Sequence, residues 1–145
     1  MKLEEIHELW ALDSQIDESE LDAESLKIPQ LHSKYYKIYN IERMILRRLE
    51  GEYKTLSLEK YEFYTQGPTD EQHKRGWKLP AKGMILKNEV DRYLEADRDI
   101  IAMSLKIALQ REKVDLLHSI IGNINSRSFH IRDCIEFLKW SQGQG

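Results

Sequence analysis

Apolar residues recur along most of this chain at intervals of three and four, the spacing of one helical face. Leu3, Ile6, Leu9, Trp10 and Leu12 predict a short amphipathic helix at the start. The stretch from Asp13 to Lys27 is polar, and Ser19 followed by Asp22 is a capping pattern for a second short helical turn. A long run then covers residues 28–66 through Ile28, Leu31, Tyr35, Ile38, Ile41, Ile45, Leu49, Tyr53 and Leu56, with Pro29 in its first turn and Gly67-Pro68 as its stop. A second long run over residues 87–125 carries Val90, Leu94, Ile101, Leu105, Ala108, Leu116, Leu117, Ile120 and Ile124. Residues 67–86 between them are too long and too rich in turn residues for a tight connection. After Ser126-Arg127-Ser128, the segment 126–145 reads as a separate short helix with Ile131, Cys134, Ile135 and Leu138 on one stripe and Phe137 and Trp140 beside it.

The pattern predicts an all-α fold: one domain over 1–145, built as a long helical hairpin with short N- and C-terminal helices. The last helix has more apolar surface than one hairpin covers. Phe129, Ile131, Ile135, Phe137 and Leu138 are therefore the candidate oligomerisation residues, with capping of the hairpin as the other use of that face.

Composition agrees: of 145 residues 41% are hydrophobic and 32% charged, and seven glycines and three prolines leave room for long helices. The single cysteine, Cys134, excludes an intramolecular disulfide, and its place on the apolar stripe predicts a buried, inert thiol. The opening Met1-Lys2-Leu3-Glu4-Glu5 is unlike a signal peptide, and no apolar run reaches the roughly 20 residues of a membrane span. An intracellular protein with no membrane partner is expected.

Charge changes the picture more. The formal net charge is −3, but residues 1–26 hold one lysine against nine acids, leaving the rest of the chain positive. That asymmetry suits an acidic N-terminal segment facing a protein and a more basic body facing an anion.

Catalytic signatures are missing. There is no phosphate-cradling glycine loop, and His7, His32, His73, His118 and His130 are too scattered to share a metal. Asp97 and Asp99 flank Arg98 and read as surface ion pairs. The expectation is a non-enzyme without cofactor or metal. The positive signal is basic residues interleaved with aromatics, which suits single-stranded nucleic acid because phosphates need cations and unpaired bases need flat surfaces. The connecting loop offers Lys74, Arg75, Trp77, Lys78 and Lys82 with no acid from His73 to Asn88, and the first long helix adds Lys34, Lys37, Lys54 and Lys60. These nine are the candidate nucleic-acid-binding residues.

Several patterns in order along nearly the whole chain carry a resemblance. They are Leu3-Glu4, Ile16-Asp17-x-Ser19-x-Leu21, Ser33-Lys34-Tyr35, Arg48-Leu49-Glu50, Tyr64-Thr65-x-Gly67, Leu94-x-Ala96-Asp97-x-Asp99-Ile100 and, most specific, Ile124-x-Ser126-Arg127-x-Phe129-x-Ile131-Arg132. Together they resemble the UvsY family of recombination mediators of T4-type bacteriophages. Ser128 stands where that family can have glycine, and the basic cluster before the terminal aromatics of the long helix is thinned to Lys54 and Lys60. The resemblance implies a single-stranded-DNA-binding protein in the cytoplasm of an infected bacterium that consumes no nucleotide. It implies a ring-like homo-oligomer, a hexamer or heptamer, joined mainly through the C-terminal segment. Its partners would be a RecA-like phage recombinase and the phage single-strand-binding protein that the recombinase must displace. A helical structural or adaptor protein without DNA binding is the alternative from a different class.

Overall fold

Helix α1 spans Leu3–Asp13, as its periodicity predicts, and its one buried residue, Ile6, enters a core with Tyr35, Leu117, Ile120, Ile121 and Ile124. The computed structural model describes residues 1–143, and among these the remaining elements are α2 (Leu21–Gln66), α3 (Asp70–Lys74), α4 (Val90–Glu95) and α5 (Arg98–Ser141), with no strand. The chain forms two compact units: Met1–Ile45 with the segment from Gln110 onward, and Leu46–Leu109. Helices α2 and α5 each contribute residues to both, so the division is one of packing within long helices, not of separate chain segments.

The helix boundaries differ from the sequence reading in three places. Helix α2 begins at Leu21, which is buried, so the expected short turn after Ser19 is absorbed into it and Pro29 lies inside the helix. Ser19 does not cap; its amide and hydroxyl both donate to Asp17 Oδ1, at 3.0 and 2.6 Å. The second long run is broken. Asp97 Oδ1 accepts the amides of Asp99 and Ile100 at 2.9 and 3.1 Å, the signature of a helix N-cap, so α4 ends and α5 begins where continuous helix is expected.

The third difference is the C-terminal segment, which is not a separate helix: α5 runs without a break through Ser126, Arg127 and Ser128 to Ser141. None of those residues is a helix breaker, and the Ser126 hydroxyl bonds back to the Gly122 carbonyl at 3.2 Å inside the helix. Gln144 and Gly145, the end of the expected segment, lie outside the described residues.

Arg127 has a structural task instead. Its side chain is buried, and its guanidinium donates to the carbonyls of Asp13 at 3.3 Å and Ser14 at 2.9 Å, closing the C-terminus of α1 while lying 5.5 Å from the Trp10 ring. A cation suits the negative end of a helix. Trp10 meets Tyr35 edge-on, and the Tyr35 hydroxyl and Lys34 ammonium both donate to Asp13. Arg127→Ala is expected to cost about 1.5–3 kcal/mol, the range for hydrogen bonds to a charged group, with little rescue by lysine, which cannot span two carbonyls in one plane. Chemical denaturation followed by circular dichroism measures this, and an unchanged midpoint would remove Arg127 from the account of how α1 is held.

Candidate nucleic-acid interface

The loop after α2 is built from glycine turns. Gly67, Gly76 and Gly83 have φ of 90°, 85° and 87°, a region closed to most side chains. Thr69 caps α3, accepting the Gln72 amide at 3.2 Å while the Gln72 side chain returns to the Thr69 amide at 2.9 Å. At its other end the Gly76 amide donates to the His73 carbonyl and the Trp77 amide to the Gln72 carbonyl, each at 3.1 Å. This double bond pattern needs the left-handed glycine, and it turns Trp77 back onto the end of α2. Farther on, the Ile85 amide reaches the Tyr64 carbonyl at 2.8 Å. The loop is thus an ordered element, packed through a cluster of Phe63, Tyr64, Ile85 and Val90 with Trp77, Leu79, Tyr93 and Leu94 against it.

Beneath Trp77 lies a buried charge network. Lys60 is 4% exposed; its ammonium sits 3.1 Å from Asp97 Oδ2, 2.8 Å from Asp99 Oδ2 and 3.7 Å from the centre of the indole. The Tyr64 hydroxyl donates to the same Asp97 oxygen at 2.7 Å. Burial alone would raise the Asp97 carboxyl, but the bonds from Tyr64, the Ile100 amide and Lys60 outweigh it and hold the group below the ordinary carboxylate value. The Tyr64 hydroxyl moves the opposite way, pushed up by burial and by its bond to the Asp97 carboxylate.

This network changes the status of several nominated residues. Lys60 cannot reach a phosphate, because its ammonium is enclosed by two carboxylates and a ring. Trp77 is half-buried, with Phe63 edge-on at 5.3 Å, Lys60 on the ring and the Arg75 guanidinium 4.6 Å from its centre, so it is no bare stacking platform. Arg75 also pairs with Glu59, and Lys82 pairs with Glu89 at 2.8 Å, each remaining about half exposed. Lys54, Lys74 and Lys78 are exposed and have no ion-pair partner among the described residues. Lys34 and Lys37 belong to the other unit, where Lys34 is held by Asp13 at 2.6 Å and Lys37 is exposed. The nine candidates therefore divide between the two units, and Lys60 among them is buried.

Sequence reasoning missed the opposite wall. Leu56, Arg75, Trp77, Asp99, Ala102, Met103 and Lys106 line an open groove of about 460 Å³. The spacing of Ala102, Met103 and Lys106 puts them on one face of α5, but only the folded loop reveals that this face meets Arg75 and Trp77. Among the described residues no group of His, Cys, Asp and Glu is placed to hold a metal ion, and no helix is long and apolar enough to cross a membrane.

The expected oligomerisation residues also separate. Ile131 is 3% exposed and belongs to the interior of its own unit, and Ile135 is half-buried. Phe129, Phe137, Leu138 and Trp140 are exposed. Cys134 is exposed too, contrary to the buried thiol expected: it lines, with Leu21, Phe137 and Leu138, an apolar groove of about 630 Å³.

Comparison with known proteins gives a consistent result. The family model described as "Recombination, repair and ssDNA binding protein UvsY" matches residues 9–144. Two crystal forms of the bacteriophage T4 recombination mediator protein UvsY are similar in structure. One has 22% identity, covers 98% of both chains and gives a TM-score of 0.79; the other has 20% identity, covers 97% of this chain and 99% of that one, and gives 0.78. At such identity the likeness carries the fold. No curated protein sequence matches the chain significantly.

Proposed function

Since the chain belongs to the UvsY family of recombination, repair and single-stranded-DNA-binding proteins, we propose that it is a recombination mediator which loads a RecA-like phage recombinase onto DNA covered by the phage single-strand-binding protein. The observation that carries this reading is the family match over residues 9–144. The role is one of binding, without catalysis, in the cytoplasm of the infected bacterium.

Several features support it. The strand would lie on the unit that carries the loop, where Lys54, Lys74 and Lys78 are exposed and unneutralised among the described residues. Three lysines give weak affinity in one subunit, but a closed hexamer or heptamer presents them many times over, and linked weak contacts add up as avidity. Such a ring would close through the exposed end of α5, where Phe129, Phe137, Leu138 and Trp140 are uncovered. The acids Glu4, Glu5, Glu8, Asp17, Glu18, Glu20 and Asp22 are exposed and would repel phosphate, so that end suits a protein partner. Deleting residues 1–26 is a poor probe of this, because it removes Ile6 from the core; charge reversal at Glu4 and Glu8 leaves the core intact.

The test is filament assembly by a phage recombinase on an oligonucleotide saturated with single-strand-binding protein. Adding this protein should shorten the lag before filaments form. If the lag is unchanged and the protein does not retard the bare oligonucleotide even at low salt, the structural-adaptor reading replaces this one.

A further inference from the structure

We propose that the groove between Trp77 and α5 seats one unpaired nucleobase with its phosphate; this deepens the strand-binding reading and rests on it. The floor is apolar, made by Leu56 from α2 and by Ala102 and Met103 from α5. Its volume, about 460 Å³, suits a small planar group. Methionine and leucine offer soft surface to a base without reading its hydrogen-bonding edge, so the seat accepts any sequence.

One wall is the Arg75–Trp77 stack. The guanidinium is held on the indole and tethered by Glu59, and 44% of the side chain is exposed. Guanidinium groups stack on nucleobases as aromatic rings do. Trp77 thus acts through Arg75, which it positions, instead of serving as the platform itself. The charges in the groove favour an anion. Two cations, Arg75 and Lys106, line the groove against one carboxylate, Asp99, which shares the Lys60 ammonium with Asp97, and Lys106 is exposed with no partner among the described residues. A duplex is excluded by chemistry: a paired, stacked base has no free face to lay on this floor.

Two measurements on the full-length protein decide the matter. An oligonucleotide carrying 5-iodouracil is photocrosslinked and the modified peptide mapped. In parallel, oligonucleotide affinity is titrated for wild type, Lys106→Glu and Arg92→Glu, the last an equal charge change on the same unit outside the groove. Both substituted positions are exposed, and circular dichroism checks that helix content is kept. Crosslinks at Arg75, Trp77 or Met103, with Lys106→Glu about tenfold weaker and Arg92→Glu within about twofold of wild type, are the expected result. If wild type binds but both variants match it and the crosslinks lie elsewhere, the groove is wrong while strand binding stands. If Lys106→Glu keeps full strand affinity but loses stimulation of the recombinase, the groove holds a protein partner and the proposal also fails. If wild type does not bind at all, the groove falls together with the strand-binding reading.

Discussion

Asp97→Ala is expected to lower the unfolding free energy by about 3–5 kcal/mol, the cost of leaving a buried ion pair half-made. The substitution strips Lys60 of one carboxylate, leaves the Tyr64 hydroxyl without its acceptor and removes the cap of α5. Against a typical total of about 5–15 kcal/mol that is a large fraction. Urea titration followed by circular dichroism reads it as a shifted midpoint with unchanged slope. A loss below about 1 kcal/mol would mean that the network is not what fixes the loop to α2 and α5. The same carboxyl sets a pH dependence. Because its folded value lies below the ordinary 3.8, its stabilisation is full above that value and drains away as pH falls through the folded one. Wild type should therefore lose stability on acidification below about pH 4, and Asp97→Asn should lose less across the same window. Asp13, also held low by its bonds to Lys34 and Tyr35 against the effect of burial, contributes with the same sign.

Charged residues at Phe137 and Leu138 are expected to break the proposed assembly into small species. Each such apolar side chain is worth about 1.5–3 kcal/mol when fully buried, and every interface of a ring loses two. The exposure of these residues, 62% and 42%, means that the substitutions leave the core of the subunit untouched. Ile131 would be a misleading choice, since a charge there would sit unpaired in the subunit's interior and destabilise the fold itself. Analytical ultracentrifugation of Phe137→Asp with Leu138→Asp should show a collapse in mass and, through lost avidity, much weaker strand binding. A double variant that sediments like wild type would place the contact elsewhere.

The helical character of the chain was legible because helix periodicity is local: Leu3 to Leu12 and the runs through Tyr35 and Leu117 need no tertiary knowledge. The boundaries were not, because each depends on a partner far along the chain. Pro29 suggested a helix start, yet burial of Leu21 extends α2 past it. Asp97 could have been read as a cap from Ala96-Asp97-x-Asp99, but apolar residues on both sides masked the break. Ser126-Arg127-Ser128 suggested a turn, and Arg127 reads correctly only once the end of α1 is beside it. Lys60 shows the limit of composition. A lysine among aromatics looks the same in sequence whether it faces phosphate or is enclosed by Asp97, Asp99 and Trp77. Tyr64 comes from one of the motifs that carry the resemblance and Asp97 and Asp99 from another, and the three join in one network with the Lys60 ammonium, so part of what makes the family recognisable is architecture and not DNA contact.

Strand binding itself is tested most directly by titrating a labelled single-stranded oligonucleotide with the full-length protein at several salt concentrations. Each phosphate contact contributes about 0.7 to the slope of log affinity against log salt, so Lys54, Lys74, Lys78 and Lys106 give a slope of about 3 in one subunit and more in an assembly. Binding at low salt with at least that slope is the predicted result. No binding at the lowest salt, or binding that salt does not weaken, would contradict it.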